Sequence, residues 1–194
     1  VRAIANLFLG GEMTGPAWAG VLFGDLPPGG KLPLMLPASE ADVLPVGQDA
    51  TVQYAEGLFT SYRSPTLRAA FPFGHGLSYT SFAFGPPRQS PGGCPGARAC
   101  VLARVENVGP REGSEVAQAY VEFAPGLGEP RLVLRGFRKV WLRPGESQEL
   151  AFGLTERDLS VYRSGQGWQL QGQVLVHVGP SSGDLRGQVL LRAG

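Results

Sequence analysis

Glu56 is the carboxylate of this chain whose neighbours best suit acid catalysis. Tyr54 and Phe59 stand close by in sequence, and aromatic surroundings raise a carboxyl pKa by desolvation. The competing reading is structural: a carboxylate paired with Arg63 or capping loop amides. Ion-paired loop acids are far commoner than perturbed catalytic ones, so the structural reading is preferred. It places Glu56 and Arg63 within ion-pair reach. His75 is a second candidate, since imidazole moves protons near neutral pH. No Ser, Cys or Asp beside it makes a nucleophile pair, and the flanking Gly74 and Gly76 point to a tight backbone passage between domains. His75 is therefore expected to be packed or backbone-bonded. His177 alternates with Val174, Val176 and Val178 and is expected on the opposite, exposed face, without a role.

The run Gly74-His75-Gly76-Leu77-Ser78-Tyr79 resembles a phosphate-binding loop only superficially. It lacks the third glycine and any Lys followed by Ser or Thr, so no nucleotide cofactor is expected. Cys94 and Cys100 lie in a stretch rich in Gly and Pro. They read either as a small disulfide loop of an oxidising compartment or as two free thiols in a linker. With no second pair and no nearby histidine, they are not a metal site. Trp18, Trp141 and Trp168 could stack on sugars. Trp18 falls on a helix and reads as core or interdomain packing, and none of the three has a second aromatic at a spacing that builds a flat platform.

The elements that must position these residues change character along the chain. Hydrophobic residues make up 43% and charged residues 17%, which excludes a disordered polyelectrolyte. The 29 glycines and 17 prolines favour short strands and turns over long helices. A net charge of +1 without a basic stripe argues against a nucleic-acid partner. No run reaches the roughly 18 apolar residues of a membrane helix, so no membrane partner is expected. The chain opens on Val1 in mid-pattern, with neither Met nor leader peptide, as if preceded by more of a folding unit.

Residues 1–37 read as helix, strand, helix, strand. Val1 to Asn6 reads as a helix end and Leu7-Phe8-Leu9 as a buried strand. Thr14 offers an N-cap, Pro16 suits the first turn and Gly24 closes the helix; Leu32 to Leu36 reads as the second strand. Two strands and two helix pieces cannot cover both faces of a parallel sheet, so this part needs a partner. From about Phe71 the grammar is all-β. Strands are expected at Ser81–Phe84, Ala99–Asn107, Glu115–Phe123, Leu132–Leu142, Gln148–Leu154, Trp168–Gln171, Gln173–Gly179 and Gln188–Arg192. Short strands separated by turns such as Arg143-Pro144-Gly145 are the pattern of an immunoglobulin-like sandwich.

Several collinear stretches resemble family 3 glycoside hydrolases of the β-glucosidase kind. "GPAWAGVLFGDLPPGGKLPLMLP" is similar to the segment that closes that family's α/β sandwich domain. "YAEGLFTSYR" resembles the loop that follows, and "FPFGHGLSYTSFAF" the approach to the last domain. "VENVGPREGSEVAQAYV", "LRGFRKVWLRPGESQELAFGLTERDLSVY" and "VLVHVGPSSGDLR" resemble its fibronectin type III-like domain. The resemblance implies a mainly β fold: an α/β sandwich remnant with its connecting loop at 1–70, then a fibronectin type III-like β-sandwich at 71–194. It also implies retaining glycoside hydrolysis in the whole enzyme, by an aspartate nucleophile on a barrel and a glutamate acid/base on the α/β domain. Both motifs would precede the matched stretches, so no catalytic residue carries over. Glu56, Tyr62, Arg63, His75 and Tyr79 are then interdomain or cleft-shaping candidates. The implied partners are the barrel and α/β domains of the same enzyme, which meet the glycoside, and the implied location is extracellular. A stand-alone binding or adhesion sandwich is the alternative. The short spacing from Tyr62-Arg63 to Phe71 resembles some β-xylosidases of the family, which leaves the sugar open.

Overall fold

The computed structural model describes residues 3–44 and 52–192. Helix α1 (Thr14–Phe23) follows a short 3-10 turn at Gly11–Met13. Pro16 sits in its first turn, and Gly24 ends it at φ 82°, donating its amide to the Val21 carbonyl. The sequence "TGPAWAGVLF" is apolar on all sides, yet only Gly20 is buried. A helix of that kind is a core helix without its cover.

The short strands β1 (Leu36–Pro37) and β2 (Ala69–Phe71) pair with each other. After them come β3 (Phe82–Phe84), β4 (Arg88–Gln89), β5 (Ala99–Asn107), β6 (Gly113–Glu122), β7 (Val133–Leu142) and β8 (Ser147–Leu154). A hairpin follows, of β9 (Ser160–Arg163) and β10 (Gly167–Leu170), and the chain closes with β11 (Gln173–Gly179) and β12 (Gly187–Arg192). β3 and β4 share one edge of β5 and β8 takes the other, while the facing sheet has the order β12-β11-β6-β7. All these pairings are antiparallel. Between the sheets lies one dry core: Val101, Ala103 and Val105 with Leu150, Phe152 and Leu154 on one side, Ala117, Ala119 and Val121 with Val174, Val176 and Val178 on the other. Sheet crossings at β5–β6 and β7–β8 make this a fibronectin type III-like sandwich.

Expectations for the first residues fare differently. Val1 and Arg2 lie outside the described residues, and Ala3 to Asn6 form no helix. Leu7-Phe8-Leu9 is not a strand: Phe8 has φ 52° and its amide bonds the Asn6 side chain. A buried strand needs a ladder partner on at least one edge, and none of the described residues supplies it. Thr14 is the first helical residue rather than the cap, its hydroxyl donating to the Gly11 carbonyl. The strand expected over Leu32–Leu36 is confined to its last residue, because Leu32 bonds to another stretch: its amide donates to His75 O and its carbonyl accepts from Gly74 N.

Two polar devices tie the ends of the sandwich. Asn107, fully buried at the end of β5, donates to Arg111 O at 2.7 Å and Leu142 O at 2.9 Å, and accepts from Thr80 Oγ1 and the Gly109 amide. All its hydrogen-bonding capacity in the fold is used, which turns a buried amide from a cost into a clamp. Cys94 and Cys100 are joined in a disulfide that staples the loop before β5.

Candidate functional site

The sheet β12-β11-β6-β7 has a second face, away from the core, carrying Ser114, Val116, Gln118, Tyr120 and Glu122 of β6. Described residues of the preceding segment lie over part of it, Gly29 against Ser114, Tyr62 against Tyr120 and Gly74 against Gln118. Tyr62, in a 3-10 turn (Ser61–Arg63), is the main anchor. Its ring stacks on Phe73 at 4.6 Å, meets Tyr120 edge-on at 5.9 Å, and its hydroxyl accepts the Leu134 amide of edge strand β7 at 3.0 Å. Tyr120 is fully buried, and burial, with Tyr62 adding repulsion, pushes its phenol well above the usual range. It therefore stays a neutral donor, and it donates to Gln118 Oε1.

Gln118 in turn donates to the Gly74 and Pro180 carbonyls. Ser182 donates to Phe73 O through both its amide and its hydroxyl, each at 3.0 Å. Gly74 has φ 81°, and a Cβ there would collide with the Gln118 side-chain amide; one on Gly76 would collide with the Gly30 carbonyl. The glycines around His75 thus permit a close backbone passage. His75 itself lies against Phe71, with its amide and carbonyl both bonded.

Electrostatics holds the same segment at two further points. Lys31 Nζ lies 2.6 Å from Glu115 Oε1 and donates to Gly76 O at 3.0 Å, with both side chains largely buried. Asp42 accepts from Ser39 Oγ, the Arg68 amide and Arg68 Nε, and these bonds, the Ser39 hydroxyl first, hold its carboxyl below the usual range. Next to the first pair, a cleft of about 330 Å³ is lined by Lys31, His75, Ser78, Glu115, Asp184 and Arg186. Both carboxylates in it are held by cations, Asp184 by Arg186. That chemistry suits fixing a backbone better than moving a proton.

Tyr79 donates its hydroxyl to Val21 O, which fastens the end of α1 to the sandwich. Glu56 and Arg63 correct the sequence reading. They form no ion pair: Arg63 lies over its neighbour Tyr62, its guanidinium carbon 5.6 Å from the ring centre. Glu56 sits in a turn whose carbonyl accepts the Phe59 amide. The ring of Tyr62 gives the guanidinium a partner, and Glu56 stays half-buried in its turn without it. His177 is the second correction. It is only 6% exposed, and Nε2 lies 2.7 Å from Glu122 Oε2. The face opposite Val176 is not open to solvent at His177, because the neighbouring strand β6 sets Tyr120 beside it and Glu122 against its ring.

Sequence reasoning missed Gln118, Tyr120, Lys31, Glu115, Asp42 and Asn107. Polar residues alternating with apolar ones on a strand read as a wet face, so Gln118 gave no signal. Gly74 and Gly76 were the only mark of the close approach.

A β-sandwich clamped onto a preceding segment of irregular chain, itself ending in an uncovered helix, is the architecture these residues define. Two family models match it: the glycosyl hydrolase family 3 C-terminal domain over residues 1–79 and the fibronectin type III-like domain over 115–182. A thermostable beta-glucosidase B of Acetivibrio thermocellus is 35% identical over 95% of the chain and 26% of its own length. A beta-glucosidase of Rhizobium radiobacter is 37% identical over 84% of the chain and 21% of its own length. Among solved structures, a beta-D-glucoside glucohydrolase from Trichoderma reesei superposes with TM-score 0.84 at 31% identity, over 94% of this chain and 29% of that one. The chain belongs to glycoside hydrolase family 3, of whose β-glucosidase-like members it carries the C-terminal part. It spans about a quarter of the length of the curated relatives it matches.

Proposed function

We propose that this chain is the non-catalytic C-terminal portion of a retaining β-glucosidase-type hydrolase, and that its sandwich scaffolds the catalytic domains. The observation that carries the reading is the clamp. Described parts of the segment matched by the family 3 C-terminal model, around Tyr62 and Phe73–Gly74, lie on the outer face of the β12-β11-β6-β7 sheet, held by Tyr62, Gln118 and Ser182, and Lys31 ties the same segment to Glu115. A folded sandwich gripping an irregular segment fixes what that segment presents, and errors of ~1 Å in a catalytic site cost orders of magnitude in rate. Exposed Leu22, Phe23 and Leu26 around the end of α1, with Phe137 and Trp141 on β7, supply apolar surface for the remainder of the α/β domain. Residues 1–70 belong with that domain and 71–194 with the sandwich.

The test is an aryl β-glucoside assay on two proteins, this chain alone and the full-length enzyme. Turnover is expected only from the full-length enzyme, and Tyr62→Ala in it lowers kcat while the sandwich remains folded. Robust turnover by the chain alone would overturn the reading. Aryl β-xyloside in parallel decides between the glucosidase and the xylosidase that the short Tyr62–Phe71 spacing also fits. The disulfide supports an extracellular location, since such bonds persist in oxidising compartments.

A further inference from the structure

We infer that edge strand β7 carries the cationic half of an interface whose partner is an acidic surface on the part of the enzyme outside this chain. The inference rests on the scaffold reading above and adds the chemistry of the partner. Residues 131–143 hold Arg131, Arg135, Arg138, Lys139 and Arg143, five of the 17 cations, and none of the 16 acids. β6 pairs β7 along one edge, and among the described residues no strand pairs it along the other. Arg131 meets Glu122 at 3.8 Å, while the other four form no ion pair among the described residues. Arg135 is the extra residue where the register shifts between Ala119 and Tyr120, and its Nε is buried with no hydrogen-bond partner among the described residues. A buried donor left unpaired is costly, so this guanidinium calls for an acceptor that the described residues do not supply.

The same strand carries apolar surface in line with its charge. Phe137, Lys139 and Trp141 pair with Gln118, Val116 and Ser114, so they share the outer face, and all three are exposed. Cations on an edge strand also keep sheets from adding edge to edge. That role needs neither two large rings beside the lysine nor a buried, unpartnered Arg135 Nε. A docked surface uses all of them, since the rings bury area and the cations fix orientation and reject wrong partners. A second copy joined through the same edge would set cations against cations, which is unfavourable. Position points instead to the rest of the enzyme. Gly29 lies against Ser114, and Lys139 Nζ is 3.4 Å from where a Cβ on that glycine would stand. The outer row of β7 therefore continues into the segment that leads back to α1, where Leu22, Phe23 and Leu26 are exposed. The chain spans about a quarter of the length of its curated relatives, so a body large enough to meet both patches lies outside it. Where that body faces the unpaired cations of β7, carboxylates complement them.

The composition offers a clean test, because Lys31 and Lys139 are the only lysines of the chain and Lys31 is already held by Glu115. The full-length enzyme is treated with a water-soluble carbodiimide, which condenses an amine with a carboxyl in contact with it, and the digested peptides are read by mass spectrometry. An amide between Lys139 and an Asp or Glu outside residues 1–194 is expected, in a yield that falls as salt is raised. Lys139 joined only to a carboxyl within residues 1–194, or to none, overturns the inference. Hydrogen exchange supplies the second arm. Lys139→Glu should quicken exchange along β7 roughly tenfold in the full-length enzyme and leave it unchanged in this chain alone, which separates a lost interface from a folding defect. Arg192→Glu reverses an exposed cation on the far edge strand β12 and should leave both proteins unchanged. Equal quickening in the two proteins, or an Arg192→Glu effect as large as that of Lys139→Glu, also overturns it. Without the cross-link, but with aryl β-glucoside turnover still confined to the full-length enzyme, the acidic partner falls and the scaffold reading stands. Turnover by this chain alone removes the scaffold reading, whatever Lys139 joins.

Discussion

Strands β6 and β8 belong to the same sandwich and obey opposite rules. Along β8 burial alternates cleanly: Leu150, Phe152 and Leu154 are buried, while Glu149, Ala151 and Gly153 are exposed. Along β6 nearly everything is buried, including Ser114, Glu115, Gln118 and Tyr120. The difference lies in what covers the second face. β8 presents its outer side to water, whereas β6 presents it to Gly29, Tyr62 and Gly74. An antiparallel sheet with both faces covered must satisfy every polar group it buries there, and Gln118 and Tyr120 do so through one another and through the Gly74 and Pro180 carbonyls. The uncovered sheet stabilises a domain; the covered one also fixes a neighbour.

Breaking the hold on the covering segment should cost most at its ion pair. Lys31→Met leaves the Glu115 carboxylate largely buried without its cation and is expected to destabilise the chain by about 3 kcal/mol in urea unfolding. Combining it with Glu115→Gln should recover most of that loss, which distinguishes an orphaned charge from lost packing. Tyr62→Ala removes two aromatic contacts and the acceptor for Leu134 N, and about 2 kcal/mol is expected. Hydrogen exchange should quicken in residues 71–76 and leave β8 unchanged; equal quickening in both would mean that the segment and the sandwich unfold as one unit.

A smaller effect should follow pH. Because Asp42 has a folded pKa below its unfolded value, its contribution is fully present above the unfolded value of about 4 and is lost as pH falls through the folded one. Protection of the Arg68 amide should fall in that window and be absent throughout in Asp42→Ala. Least of all is expected on the open face. Glu149→Ala breaks an exposed pair with Arg88 at 2.8 Å and should change stability by no more than about 0.5 kcal/mol. A loss comparable to that of Tyr62→Ala would erase the distinction between the two faces.

Much of the sandwich was legible because its signals are local. Period-2 runs such as Leu150, Phe152, Leu154 and turns such as Arg143-Pro144-Gly145 mark strands without knowledge of their partners, and Ala99–Asn107 and Gln173–Gly179 fall where the pattern puts them. The candidate site was far less legible. Tyr62, His75 and Tyr79 were singled out through motifs, but their partners Phe73, Phe71 and Val21 were not, and Glu56 was assigned a cation that stacks elsewhere. Contacts across a covered face join residues far apart in sequence, with no period linking them. The same holds for the first residues, where Leu7-Phe8-Leu9 has the composition of a strand but no pairing edge.

Composition, periodicity and turn chemistry by themselves determined that this chain builds a β-sandwich after an apolar helix. Each of those signals is written within a few neighbouring residues. Only the tertiary structure decided that one sheet is covered on both sides, that Gln118, Tyr120 and His177 are buried instead of wet, and that Trp168 faces outward beside Tyr162. Burial is a property of what lies opposite, and a single strand does not encode its own cover.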